Sequence, residues 1–194
     1  VGGFYCDRGY KKGNITSISP GISGNVVIPE EIRGVKITGL WMFSDPNMCF
    51  VGFSRRSLIT SIVLPRTIKD VSFNFGTGNK NLKKIEISQG TGKISYLAVG
   101  CPALTDVTIP ASVTKIDDEA IIKKYDWKYD ENGTPIPDEN GNDSYEIIPY
   151  DNLIIHGKTG SYAEEYAKKM GYNFISTGVV TPFTDVIGHW AESD

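Results

Sequence analysis

Apolar positions recur along this chain with a period longer than the repeat of any helix or strand. In the run 104–121 they fall at Leu104, Val107, Ile109, Val113 and Ile116, with Pro110 straight after the first three. The same places 22 residues earlier hold Leu82, Ile85, Ile87, Thr91 and Ile94. Another 23 residues back they hold Ile59, Ile62, Leu64, Ile68 and Val71, with Pro65 as the counterpart of Pro110. A fixed period of this size predicts a solenoid, in which no unit buries its apolar side alone and stacked neighbours make one continuous core. Within each unit the first run alternates apolar and polar residues, as a half-buried strand does. Proline ends that run because it has no N–H to give a ladder. A second extended run follows (Ile68/Val71/Phe73, Ile94/Tyr96, Val113/Ile116), so the pattern predicts two narrow faces of short strands with turns between.

Around this repeat the pattern changes in identifiable places. Phe4–Tyr10 and Asn14–Ile18, separated by Lys-Lys-Gly, predict a hairpin that starts the fold over 1–25. Val26-Val27-Ile28-Pro29 is the first strand of the repeating kind, and the repeats run over 26–178. Pro29 to Pro65 is 36 residues, about 13 more than one repeat, and the surplus is assigned to a loop at 43–56. A second interruption, 123–150, carries Tyr125, Trp127 and Tyr129 before two Asn-Gly turn formers and Tyr145 and Ile147 after them, which predicts a protruding hairpin. Ser161-Tyr-Ala-Glu164 reads as a capping box, and Ala163, Tyr166, Ala167 and Met170 share one face before Gly171. A helix over 161–171 therefore predicts the cover that an open solenoid end requires, with a last strand at Tyr172–Ile175. The stretch 179–194 reads as a linker and the start of another unit.

Composition narrows the setting. The 194 residues are 40% hydrophobic and 22% charged, which suits a folded core without a metal or disulfide staple. The net charge of −3 is too mild to suggest nucleic acid or an anionic membrane as partner. No run of 18 apolar residues predicts a membrane-spanning helix. The opening VGGFYCDRGY has neither an initiator Met nor a signal-peptide apolar stretch, and reads as a trimmed start from which a targeting segment, if any, is missing. Three cysteines, Cys6, Cys49 and Cys101, show no CxxC spacing; pairing of Cys6 with Cys49 is left open.

Candidate chemistry is sparse. There is no Gly-x-Ser-x-Gly elbow and no His-Glu-x-x-His, and the two histidines are far apart, so no catalytic residue, metal ligand or cofactor is assigned. Gly157-Lys158-Thr159 is no phosphate loop, because Asn152 stands where that loop needs its first glycine. The acidic tip around Asp130, Glu131, Asp138, Glu139 and Asp143 has oxygen ligands of the kind calcium takes, but Gly141 falls at the fourth place and not the sixth; a solvated tip is the reading adopted. Tyr125, Trp127, Tyr129 and Tyr145 are the leading binding candidates, since alternation puts the first three on one hairpin face. The competing reading packs that face onto the solenoid edge. Lys83, Glu86, Asp106 and Thr108, taken as exposed positions of the repeat strands, make a second candidate surface.

The spacing Leu-x-x-Ile-x-Ile-Pro-x-x-Val-x-x-Ile, with Gly100-Cys101-Pro102-Ala103-Leu104 between units, resembles the BspA-like leucine-rich repeats. Val26 to Ile37 is similar to that family's first unit, and Ile154 through Ala167 to its closing unit. Ser88-Gln89-Gly90 in place of the proline segment and the 123–150 insertion depart from it. The resemblance implies a mostly β fold with a C-terminal helix, a right-handed leucine-rich-repeat solenoid, and a buried Cys101 thiol. It further implies a secreted bacterial cell-surface protein that binds an extracellular protein or glycan without catalysis. Phe183-Thr-Asp185-Val186 and His189-Trp190-Ala191 resemble the opening of an S-layer homology domain, which implies anchoring to cell-wall polysaccharide through residues beyond Asp194. A spacer that presents another domain and has no ligand of its own is the second expectation.

Overall fold

Short alternating strands with no long partner in their own unit pair with the equivalent strand one period away, and that pairing builds this molecule. The computed structural model describes residues 4–6, 13–18, 22–40, 58–72 and 79–180. The expected loop at 43–56, Cys49 with the side chain of Cys6, and the 183–191 stretch lie outside the described residues. β1 (Phe4–Cys6) runs antiparallel to β2 (Asn14–Ile18). β3 (Ser23–Val27) opens the first turn, which continues through β4 (Glu31–Ile32), β5 (Val35–Lys36) and β6 (Gly39–Leu40). β6 pairs in parallel with β2 and so ties the first hairpin to the stack. The next turn holds β7 (Leu58–Leu64) and β8 (Asp70–Ser72); the third holds β9 (Lys84–Ile87), β10 (Lys93–Tyr96) and β11 (Ala98–Val99). The fourth holds β12 (Asp106–Thr108), β13 (Lys115–Ile116) and β14 (Ile121–Ile122), from which the hairpin β15 (Lys124–Trp127) and β16 (Tyr145–Ile148) departs. β17 (Ile154–Thr159), α1 (Tyr162–Met170) and β18 (Asn173–Val179) close the chain.

One strand per turn gives a six-stranded parallel sheet in the order β18-β17-β12-β9-β7-β3, so the fold is a parallel β-solenoid of about six turns, mostly β with one C-terminal helix. A second side stacks β13-β10-β8 in parallel and a third pairs β11 with β14. Register puts Val26, Ile62, Ile85, Val107, Ile155 and Phe174 in line across the main sheet, and the first five are buried. Val71, Ile94 and Ile116 form the matching line on the second side. These inward lines are the repeat that the apolar spacing records.

The turns before β9, β12 and β17 each carry a buried residue three places ahead of a leucine: Asn79, Cys101 and Tyr150. Asn79 Oδ1 accepts the N–H groups of Asn81 and Leu82 at 3.0 and 3.1 Å. Cys101 is buried in the next unit, its carbonyl accepts Leu104 N–H, and burial pushes its thiol up to about 12. Tyr150 stands in the equivalent place one unit on, is buried, and accepts Cys101 N–H on its hydroxyl at 2.9 Å. Tyr150 therefore belongs to the stack and not to the inserted hairpin.

The helix closes the last turns. Gly157 is an inward position where a Cβ would lie 2.8 Å from the Ala163 Cβ, so only glycine lets α1 settle there. Tyr166 and Tyr172 reach past the helix to the outermost strand of the third side: Tyr172 donates to Ile121 O at 2.6 Å and Ile121 N–H donates to the Tyr166 hydroxyl at 3.3 Å. Tyrosine hydroxyls thus take the place of the next rung's backbone. At the C-terminus of α1, Gly171 sits at φ 74°, with Tyr172 N–H on Ala167 O and Gly171 N–H on Lys168 O, the paired bonds of a Schellman stop. Neither of the two reciprocal bonds of the capping box forms. The Ser161 side chain makes no capping bond, because the Glu164 N–H it would take already donates to the Ser161 carbonyl at 3.0 Å. Ser161 N–H is likewise bound to Lys158 O, so the Glu164 carboxylate reaches Gly160 N–H at 2.7 Å instead. Among the described residues no helix is long and apolar enough to cross a membrane.

Candidate binding site

The inserted hairpin pairs Trp127 with Tyr145 and Tyr125 with Ile147. Beyond β15 and β16 the chain folds back twice, through bridges Tyr129–Pro135 and Pro137–Asp143. Each turn repeats one device: Asp130 Oδ1 accepts the N–H groups of Asn132 and Thr134, and Asp138 Oδ1 those of Asn140 and Asn142, at 2.8–2.9 Å. These bonds hold both carboxyls below the ordinary carboxylate range. Among the described residues no three His, Cys, Asp or Glu side chains are grouped to hold a metal ion.

Alternation along β15 and the cross-strand pairing bring three of the four aromatic candidates together. Ring centroids lie 5.0 Å apart for Tyr125 and Tyr145, 4.9 Å for Trp127 and Tyr145, and 5.9 Å for Tyr125 and Trp127. Tyr129 stands farther out, in the folded-back tip. The cluster is moored by a residue that spacing did not single out. Glu119, in the turn before β14, accepts the hydroxyls of Tyr125 at 2.9 Å, Tyr96 at 3.4 Å, and Tyr145. A carboxylate has about four lone-pair sites, so three phenols on one side chain are chemically reasonable. The bond to Glu119 pushes the Tyr145 phenol up to about 12; burial raises Tyr125, and the Glu119 charge raises Tyr96.

The mooring leaves the outer part of the cluster open. Tyr125 is half-buried, whereas Trp127 is 46%, Tyr145 37%, Tyr96 43% and Tyr129 56% exposed. Below them, Ser95, Tyr96, Lys115, Ile116, Asp117, Asp118 and Glu119 line a concavity of about 450 Å³. Its charges are largely paired: Asp117 with Lys115 at 3.4 Å and Lys93 at 3.8 Å, and Asp118 with Lys169 at 2.6 Å. A hydrogen bond from Ser95, then the two lysines, lowers the Asp117 carboxyl.

The second candidate surface is the outward face of the six-stranded sheet. Glu86, Thr108 and His156 share one row, and Lys84 and Asp106 the row beside it. Lys83 is not in that row: it is the residue before β9, and its carbonyl accepts the N–H groups of Thr105 and Asp106. The strand starts one residue later than the apolar spacing implies, so Lys84 takes the outward place. His156 Nε2–H donates to Asp106 Oδ1 at 2.7 Å and Thr105 donates to Oδ2 at 2.8 Å, which lowers the Asp106 carboxyl. On this face His156, Asp106 and Thr105 are joined to one another.

Compared with protein-family models, with curated proteins and with solved structures, the chain matches none. The site is therefore read from its own geometry. Tyr96 lies two residues past the Ile94–Ile116 pair and Glu119 three past Ile116, so the repeat register itself was the signal that places both beside the hairpin root.

Proposed function

We propose that this chain is a BspA-like leucine-rich-repeat module, secreted to a bacterial cell surface, that binds an extracellular protein or glycan without catalysis. Its 22- to 23-residue period and stacked parallel strands support the leucine-rich-repeat reading. The observation that carries the binding reading is the exposed Trp127–Tyr145 pair, moored through Glu119 above a polar concavity. Rigid, well-supported aromatics give large contact area at low entropy cost, which is what binding hot spots use. In this reading 183–191 begins an S-layer homology region that holds the protein to cell-wall polysaccharide. The alternative, a spacer with no ligand, draws support from Tyr125, which the Glu119 bond holds half-buried against the stack.

The test is binding of the chain to arrayed glycans and extracellular-matrix proteins, beside a form in which 124–148 is replaced by Asn-Gly. Specific binding lost with the hairpin is the expected result. Binding retained without it would move the site to the sheet face, and silence from both forms would favour the spacer.

A further inference from the structure

We propose that the hairpin root takes a neutral oligosaccharide, with Trp127, braced edge-on by Tyr145, as the stacking platform and the rim of the concavity as the hydrogen-bonding edge. The inference rests on the binding reading above and names the ligand class of that site. Three observations favour an uncharged polyol. The first is charge balance: Asp117, Asp118 and Glu119 on one side are met by Lys93, Lys115 and Lys169 or by tyrosine hydroxyls. Three carboxylates thus stand against three ammonium groups, so neither a cation nor an anion meets a net opposite charge here. The second is composition. Ser95, Lys115, Asp117, Asp118 and Glu119 offer donors and acceptors in both senses on one rim, which suits hydroxyls that donate and accept in turn. The third is the platform: Trp127 is braced on Tyr145 at 4.9 Å and on Tyr125 at 5.9 Å while nearly half its surface stays open. The electron-rich face of such a ring attracts the C–H face of a pyranose. Tyr96, on the concavity wall, extends the aromatic surface to the hydrogen-bonding rim.

The test titrates the whole chain with neutral oligosaccharides (gluco-, manno-, xylo- and N-acetylglucosamine oligomers). Heparin fragments, polygalacturonate, chitosan oligomers and extracellular-matrix proteins serve as contrasts. Binding is read by calorimetry for the wild type, Trp127→Ala and Glu31→Ala, the last a control at an exposed residue of the first turn, outside both candidate surfaces. Circular dichroism checks that each variant is folded. The expected result is saturable binding of a neutral oligosaccharide, weakened about tenfold or more by Trp127→Ala and unchanged by Glu31→Ala. A charged glycan or a matrix protein bound instead, and lost in Trp127→Ala, would overturn the sugar class while leaving the binding site standing. Binding unaffected by Trp127→Ala, or none to any probe, would overturn both.

Discussion

The stack and the hairpin that leaves it are built on opposite terms. In the stack, Ile59, Ile62, Leu64, Ile85, Ile94, Val107 and Ile155 are fully buried and each rung leans on the next. In the hairpin, from Lys123 to Pro149, no residue is buried, and the tertiary ties are few: the Glu119 carboxylate and the Lys123–Asp151 pair at 2.6 Å. One region spends its side chains on its own stability; the other leaves aromatics facing solvent. A solenoid tolerates this because its energy is a sum over neighbouring rungs, and a loop that leaves one rung changes no other. Among the described residues, the contrast marks the hairpin as the part whose aromatics are left open.

The comparison breaks most readily in the stack. Ile85→Ala empties a site with neighbours on both sides and is expected to cost about 2–5 kcal/mol in urea unfolding. Ile147→Ala, half-buried in β16, is expected to cost less than about 1 kcal/mol. Next is Tyr150→Phe, which leaves the buried Cys101 N–H without its hydroxyl acceptor; about 1–3 kcal/mol is expected in the same measurement. Excising 124–148 in favour of Asn-Gly should move stability by no more than about 1 kcal/mol, because a shorter loop offsets the few ties lost.

Two smaller effects sharpen the electrostatics. Asp106→Asn should cost about 0.5 kcal/mol at neutral pH. The Asp106 carboxyl is lowered in the fold, so its contribution is present above the ordinary value of 3.8 and is lost as pH falls through the folded value; acid unfolding curves of the two forms should converge there. Tyr145 has the opposite sign. Its phenol is raised from 10.0 to about 12, so the stabilisation is complete below pH 10 and lost as pH rises toward 12. Glu119→Ala removes the bond and the charge behind that shift, and ultraviolet titration of the tyrosines should show one ionising earlier.

The stack was legible because each rung writes the same inward positions into the chain, from Ile62 to Ile85 to Val107. Gly171 as the helix stop was legible for a related reason, since that conformation is local. What escaped depends on which donor is already taken: the Ser161 cap failed on a backbone bond that no spacing records. Lys83 was misplaced by one residue because a strand start is decided by its neighbour's ladder. Alternation put Tyr125, Trp127 and Tyr129 on one face and Tyr145 was named beside them, but Glu119 was not named, because its role exists only once residues 96, 125 and 145 of three strands meet residue 119 of a turn.

The claim that stack and hairpin are separate units, one holding the fold and one displaying a surface, is tested most directly by native-state amide hydrogen exchange on the intact chain. The account predicts that the amides of β9 and β12 exchange through one large, shared opening, while those of β15 and β16 exchange far sooner and independently. Hairpin amides as slow as those of β12, opening together with them, would show that the insertion is part of the core and would contradict it.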